Sequence, residues 1–301
     1  MRYLITGASG YVGRALAASL SADGHQVWAV SRSPERARAA QPELAGAVGW
    51  DALDAAMDGA NGVVHLAGES VAGRWTRAKK ARLYASRVDT TRALVAAIER
   101  AAHRPSVLVS ASAAGYYGER GEETLIEASE PGDDFLARLC VEWEAAAASA
   151  EPLGVRVVQV RSGQVVGQGA AFLRPQVLAA RVGVPTRFGN GRQWWPWVHV
   201  DDVVACYRLA LQDADVRGPL NATAPEPVRQ GAFARALGGA LGRPYTVWAP
   251  ALVLRALLGE MAGEVLTSKR ALPQAALAHG LAFAYPELGP ALTDALAPTS
   301  R

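Results

Sequence analysis

A glycine-rich turn near the amino terminus has the residue types and spacing that hold a dinucleotide. The segment 6–13, TGASGYVG, links a short apolar run to an amphipathic helical pattern. Gly7 allows a sharp turn off the strand, Gly10 lets the backbone approach a pyrophosphate, and Gly13 allows close packing of helix on sheet. The amide groups at the helix start then face the phosphates, which the helix dipole favours. Strand, turn and helix in this order predict a cofactor site, the alternative being a turn without a ligand.

The end of the predicted second strand distinguishes between the two forms of the nicotinamide cofactor. Proteins that bind NAD usually carry an acidic residue here, which accepts the ribose hydroxyls and repels a 2′-phosphate. This chain has Ser31 and Arg32 in the segment 30–33, VSRS, which contains no acid. A guanidinium offers a fork of donors to a phosphate. We therefore predict NADP as the cofactor; the alternative is that Arg32 is a solvated residue opening the next helix.

The elements that must position these residues alternate between short apolar runs and helical patterns, which is typical of a parallel sheet covered by helices. Strands are predicted at 3–6, 26–30, 62–66, 106–110, 155–161 and 219–222, and helices at 11–22, 76–101, 134–150, 202–211 and 229–241. Asp201 is the predicted N-cap of the fourth of these helices.

These elements predict an α/β fold, a Rossmann doubly wound parallel sheet with a smaller mixed substrate-side or cap region. We assign the NADP-binding domain to residues 1–165 and the substrate-side region to residues 166–301, with 198–225 packing back onto the first domain.

Composition narrows the possible partners. The chain has 301 residues and a net charge of +3, without a basic stripe or nucleic-acid motif, so nucleic-acid binding is not expected. Cys140 and Cys206 lie in apolar contexts and are predicted to be small buried residues, and no cluster has metal-ligand spacing. No charged-then-apolar leader precedes the first strand and no apolar run is long enough for a bilayer, so we expect a soluble cytoplasmic protein without membrane contacts.

Further motifs make the chain resemble an extended short-chain dehydrogenase/reductase. They are TGASGYVG at 6–13, VHLAG at 64–68, SASAAGYYG at 110–118 and VHVDD at 198–202. The chain is more similar still to an atypical branch, the epimerase-family or sugar-nucleotide-epimerase-like proteins, in LAGE at 66–69, SR at 86–87, DTT at 89–91, GYYG at 115–118, GRQW at 191–194 and NATAPEP at 221–227. The tail, about 248–297, resembles that branch's own C-terminal domain.

The resemblance implies a set of cofactor contacts spread over the edge of the sheet. These residues are Gly7, Gly10, Tyr11, Val12, Gly13, Ser31, Arg32, Leu66, Ala67, Gly68, Arg87 and Val165. For Arg87 an exposed helix arginine is the alternative.

The proton-transfer dyad of that superfamily is absent. Its members normally use a tyrosine whose pKa is lowered by a lysine four residues later, and no Tyr-x-x-x-Lys occurs here. Matching the superfamily's pattern to the helix 134–150 puts Leu136 and Cys140 at the two places.

Other residues remain as catalytic candidates. Ser112, where the superfamily has a hydroxyl donor, could hydrogen-bond a carbonyl, and Tyr116 or Tyr117 could supply a proton. Glu69 could act as a base if burial raised its pKa. The alternatives are a strand-end cap for Ser112, pocket wall for the tyrosines and a loop charge for Glu69.

Fewer residues indicate how a substrate would be bound. The aromatic run 193–197, QWWPW, suits stacking on a sugar or base, or the closing of a core. A diphosphate could be bound by Arg161, Arg187 and Arg192. The alternatives are that these arginines lie on the surface or form ion pairs with acids. His199 is more typical of a structural histidine.

Two functions are compatible with these features. The first is an NADP-dependent oxidoreductase or epimerase that acts on a small carbonyl or nucleotide-sugar-like substrate. The alternative is a catalytically silent protein that senses NADP(H) and regulates a partner. The sequence leaves monomer and homodimer open.

Overall fold

The computed structural model of the protein describes residues 1–243 and 246–297. The strands are β1 Arg2–Thr6, β2 Gln26–Val30, β3 Gly46–Val48, β4 Gly62–His65, β5 Val107–Ala113, β6 Thr124–Leu125, β7 Arg156–Ser162, β8 Gln164–Val166, β9 Thr186–Phe188, β10 Trp194–Trp195, β11 Trp197–His199, β12 Gly218–Ala222, β13 Val228–Arg229, β14 Val247–Ala249 and β15 Arg270–Ala271. The helices are α1 Tyr11–Ala22, α2 Pro34–Ala40, α3 Leu53–Met57, α4 Arg77–Tyr84, α5 Thr90–Arg100, α6 Phe135–Ala148, α7 Leu173–Arg181, α8 Val200–Gln212, α9 Gln230–Ala240, α10 Ala251–Leu258, α11 Ala262–Leu266, α12 Gln274–Ala278 and α13 Leu288–Leu296. The end of the predicted substrate-side region, 298–301, lies outside the described residues.

A seven-stranded sheet forms the centre of the molecule. Its order is β12-β7-β5-β4-β1-β2-β3, and every neighbouring pair is parallel. This arrangement confirms the predicted Rossmann fold. All strands therefore end at one edge of the sheet, where the residues following β1, β2, β4 and β5 come together.

Helices bury both faces of the sheet because successive strand residues point to opposite sides. Ile5 packs in one core cluster with Leu16 of α1 and Tyr207 of α8. Leu4 packs in the other cluster with Leu94 of α5 and Met57 of α3. Strands buried on both faces explain why the sequence shows continuous apolar runs rather than alternation.

The helix predicted at 76–101 is interrupted, which corrects the sequence interpretation. A π-helical turn, Ala85–Asp89, separates α4 from α5. The hydroxyls of Thr90 and Thr91 donate to the carbonyl groups of Ser86 (2.8 Å) and Arg87 (2.6 Å), respectively, inside this turn. Such side-chain bonds compete with regular helix bonds and stabilise the distortion.

The predicted N-cap of α8 is also wrong. The helix begins at Val200, and the side chain of His199 accepts the backbone N–H of Asp201. The next residue, Asp202, is buried and accepts the N–H groups of Ala284 and Tyr285 at 2.7 and 3.1 Å. Asp202 therefore attaches the C-terminal segment, and His199 rather than Asp201 caps the helix.

The carboxy-terminal half forms a separate apolar cluster that includes Trp195, Trp197 and Phe233. Trp195 and Trp197 are 2% and 1% exposed, so these two indoles close a core, as one of the two interpretations predicted. Across the ranges that the structure describes, no helix combines the length and apolarity needed to span a bilayer.

Candidate active site

The glycine turn packs backbone against backbone at the edge of the sheet. Gly7 has φ +71°, and a Cβ there would lie 2.7 Å from the carbonyl carbon of Leu66 and 2.8 Å from the nitrogen of Ala67. A Cβ on Gly13 would collide with the carbonyl oxygen of Gly7. Gly10, the N-cap of α1, supplies no side-chain hydrogen bond to the helix. The first amide groups of α1 thus remain available to an anion.

A buried Thr6–His65 pair supports this turn from below. The Thr6 hydroxyl lies 2.7 Å from His65 Nδ1 and accepts the N–H of Ala67 at 3.2 Å. Burial lowers the pKa of His65 to about 4, which leaves the imidazole neutral at pH 7. Sequence reasoning assigned no role to His65, although it stands inside the quoted VHLAG motif.

The neutral state of His65 predicts acid sensitivity. The folded pKa, about 4, lies below the ordinary value of 6.5, so as pH falls through this range the unfolded chain binds the proton first and stability is lost. We expect His65 to account for a loss of about 2 kcal/mol between pH 7 and pH 5. Urea unfolding at both pH values should show this loss in the wild type and a smaller loss in His65→Gln. An equal pH dependence in the two proteins would contradict the prediction.

Ser31 and Arg32 line a cavity at the ends of β2 and β3. The cavity has a volume of 570 Å³ and also includes Val48, Trp50 and Asp51. Arg32 is exposed, and none of the carboxylates in the described ranges lies within ion-pair distance of it. Its guanidinium is therefore available to an anionic ligand, and the Asp51 carboxylate provides an acceptor in the same cavity.

Arg87 points from the π-helical turn to the end of β4. A Cβ on Gly68 would lie 3.4 Å from the Arg87 guanidinium carbon, which also lies 5.3 Å from the ring centroid of Trp143. Burial lowers the pKa of Arg87. The alternative of an exposed helix arginine is wrong, because the π turn directs this side chain inward beside the VHLAG motif.

Tyr11 and Val165 lie where the turn meets strand β8. The Tyr11 hydroxyl contacts Gly167, and burial, with the charges of Asp201 and Asp294, raises its pKa to about 12. Val165 is half-buried and pairs with Val198 of β11.

The place of the missing dyad is apolar. Leu136 packs against Gly115, where a Cβ would lie 2.6 Å from a Leu136 methyl group. Cys140 is 1% exposed, and burial raises the pKa of its thiol to about 12. Cys206 is buried as well, so the structure confirms that both cysteines are small buried residues. Neither Leu136 nor Cys140 provides a proton or a cation.

One helical turn beyond Cys140, Glu144 forms a buried polar network. It accepts the Ser112 hydroxyl at 2.6 Å and two guanidinium N–H groups of Arg161 at 2.7 and 2.8 Å. The side chains of Arg161 and Glu144 are only 4% and 12% exposed. Arg161 is therefore paired with an acid, one of the alternatives that the sequence left open. Glu144 itself was missed, although the i, i+4 spacing from Leu136 through Cys140 places it on the same helix face.

The two tyrosines differ in environment. Tyr117 is fully buried, its hydroxyl lies 2.7 Å from Asn221 Oδ1, and burial raises its pKa to about 12. Tyr116 is half-buried and lies under the Arg161 guanidinium, 3.4 Å from ring centroid to guanidinium carbon. Burial raises the pKa of Tyr116 as well. Their catalytic roles stay predictions.

Glu69 does not have the raised pKa that a general base here requires. Hydrogen bonds from Lys79 (2.9 Å) and Arg82 (3.3 Å) lower the pKa of this carboxyl. The suggestion of a burial-activated base at Glu69 is wrong.

Comparison with known proteins agrees with this geometry. The sequence model of the NAD dependent epimerase/dehydratase family matches residues 3–222. The chain belongs to this family. A second model, a domain of unknown function named DUF1731, matches residues 249–295.

The chain also aligns with relatives over nearly their whole length. This family member is 35% identical to the epimerase family protein SDR39U1 of Mus musculus, over 99% of the chain and 100% of the relative. It is 33% identical to the epimerase family protein YfhF of Bacillus subtilis, over 99% and 98%. The crystal structure of human epimerase family protein SDR39U1 (isoform 2) with NADPH superposes with a TM-score of 0.91 at 34% identity, covering 98% of this chain and 99% of that one.

Proposed function

We propose that this protein binds NADPH at the carboxyl edge of its sheet and transfers hydride to a small carbonyl or nucleotide-sugar-like substrate. The observation that carries the proposal is an exposed Arg32 that makes no ion pair within the described residues and lines a 570 Å³ cavity. It lies next to a turn whose glycines leave the α1 amides open. The similar human protein with NADPH bound supports the choice of cofactor.

Different residues of this chain would contact each part of the cofactor. The amides of the turn 7–13 would hold the pyrophosphate, and Arg32 with Ser31 would hold the 2′-phosphate. Gly68 and Arg87 would flank the nicotinamide end. Bound NADPH supplies the hydride.

For the proton we propose Tyr116. Burial raises its pKa, so the phenol stays protonated at neutral pH and can donate a proton but not abstract one. This property favours reduction of a carbonyl over oxidation of an alcohol. Ser112 donates its proton to Glu144 and so cannot donate to a substrate carbonyl; it would orient the substrate by accepting a hydrogen bond from one of the substrate's hydroxyl groups. Tyr117 would form part of the pocket wall.

Charge reversal at Arg32 tests the cofactor assignment. We expect Arg32→Glu to weaken NADPH binding in calorimetry by about tenfold to 100-fold, because one charge-assisted phosphate contact is worth about 1.5–3 kcal/mol. Binding of NADH, which lacks the 2′-phosphate, should change little. Arg36→Glu on α2 controls for net charge and should leave both affinities unaltered.

Wild-type protein that binds NADH more tightly than NADPH would overturn the assignment. So would an Arg32→Glu variant with unchanged affinity for NADPH.

A second function, NADP(H) sensing without turnover, is favoured by the apolar residues Leu136 and Cys140 at the dyad position. The two functions are separated by following NADPH absorbance with a panel of ketones, aldehydes and nucleotide-sugar carbonyls. Turnover that Tyr116→Phe reduces would support the enzyme. Tight NADPH binding without any turnover would support the sensor.

A further inference from the structure

A second cavity, away from the glycine turn, is lined by arginines from three segments. Its volume is 450 Å³, and its charged lining residues are Arg187, Arg192, Arg229 and Arg235. Among the described residues that line it, none carries a carboxylate. Four cations around one concavity repel each other unless an anion or solvent compensates them.

One of these arginines is neutralised. Arg229 forms a two-pronged ion pair with Glu122, at 2.8 and 3.0 Å, and its guanidinium carbon lies 4.4 Å from the Trp194 ring centroid. The pairing with Arg229 lowers the pKa of Glu122 to about 2. Arg229 and Trp194 thereby form a fixed wall of the cavity.

In the part of the chain that the structure describes, the other three are not held in such a two-pronged pair, although the charge of Arg192 also lowers the pKa of Glu122. No carboxylate within the described ranges makes an ion pair with Arg187, Arg192 or Arg235. The Nε of Arg187 is completely buried and has no hydrogen-bond partner in the described part of the chain. A buried donor without an acceptor is costly, but this nitrogen has almost no accessible surface, so a ligand in the cavity would contact the two terminal nitrogens of Arg187 instead.

The backbone holds Arg187 in place. A Cβ on Gly191 would lie 2.7 Å from Cγ of Arg187, and a Cβ on Gly231 would lie 3.6 Å from its Cδ. A side chain at Gly191 would therefore collide with the Arg187 stem, whereas the distance at Gly231 is an ordinary van der Waals contact. Helix α9 also begins here, with Gly231 and Ala232 in the lining and no side-chain cap at its start. Its dipole adds a partial positive charge.

We propose that this cavity binds the phosphate groups of a small phosphorylated molecule, through Arg187, Arg192 and Arg235. The volume lies within the range of small-molecule sites. Planar guanidinium forks match phosphate oxygens in geometry as well as in charge. The proposal is independent of the cofactor assignment, because none of these residues belongs to the NADPH site.

Titration with inorganic pyrophosphate tests the proposal, with and without saturating NADPH to occupy the glycine turn. We expect Arg187→Met, which keeps the stem over the glycines, to weaken pyrophosphate binding by tenfold or more in calorimetry. The double variant Arg187→Met/Arg235→Met should bind none at millimolar concentration. Arg255→Met removes the same charge from α10, outside the cavity, and should bind like the wild type.

Two further measurements separate a failed proposal from a failed variant. NADPH affinity should be the same in all variants, so that failure at the cavity and failure of the cofactor site are separated. Arg235 is exposed on α9, and Arg235→Met tests the cavity even if Arg187→Met does not fold. Equal pyrophosphate affinity of Arg187→Met, Arg235→Met and Arg255→Met, or no binding to the wild type, would overturn the proposal.

Discussion

Gly7→Ala is expected to weaken NADPH binding by about 100-fold, a loss of about 2.7 kcal/mol. The new Cβ would stand 2.7 Å from the carbonyl carbon of Leu66 in a backbone of φ +71°. This contact is with the backbone rather than with a flexible side chain, so the end of β4 must move away from the turn. That movement would separate the two surfaces that we propose enclose the cofactor. Calorimetric titration with NADPH measures the effect.

Gly24→Ala is the matched control for this substitution. Gly24 also has a left-handed φ, +78°, but nothing lies within 4 Å of its Cβ position. It should lose about 1–2 kcal/mol of stability from backbone strain alone and keep its NADPH affinity. If both variants bind NADPH equally well, the close approach of Gly7 to Leu66 is not needed for cofactor binding.

Glu144→Gln is expected to destabilise the fold by about 3–5 kcal/mol. The amide keeps the size of the side chain and the acceptor for Ser112, but it leaves the Arg161 guanidinium, 4% exposed, without a counter-charge. Arg161 donates hydrogen bonds to Glu144, and this pairing raises its pKa against the effect of burial. The variant removes that support, but a guanidinium keeps its proton in proteins, so the cation cannot relieve the loss by deprotonating. Urea unfolding measures the change.

Two variants test whether the effect belongs to the ion pair. Glu142→Gln, on the exposed side of the same helix, should cost less than about 1 kcal/mol. The double variant Glu144→Gln/Arg161→Met should recover part of the loss, because no buried charge is then unpaired. If the free energy of unfolding of Glu144→Gln lies within about 1 kcal/mol of the wild-type value, solvent must reach Arg161.

Local patterns predicted which segments meet at the carboxyl edge of the sheet; the cofactor contacts themselves stay predictions. The turn 6–13, the basic end of β2 and the VHLAG segment are each continuous in sequence, and each needs only a strand and the residues after it. Because all strands of a parallel sheet end at one edge, their spatial meeting followed from the order of the elements. Matching the superfamily's pattern put Leu136 and Cys140 at the places of the dyad, and in the structure both pack in one cluster with Ala111 and Ala113 of β5.

What the residues alone determined was the sheet, the glycine turn and the absence of a tyrosine–lysine pair, since these depend on spacing within single elements. Only the tertiary structure decided where charges meet: Glu144 with Arg161, Lys79 with Glu69, and the arginines around the second cavity. Ion pairs join residues as far apart in sequence as Asp23 and Arg208, and their partners depend on side-chain geometry that no local period encodes. The π turn at Arg87 also leaves no mark in the hydrophobic period of the sequence. The inward direction of the Arg87 side chain was therefore visible only in three dimensions.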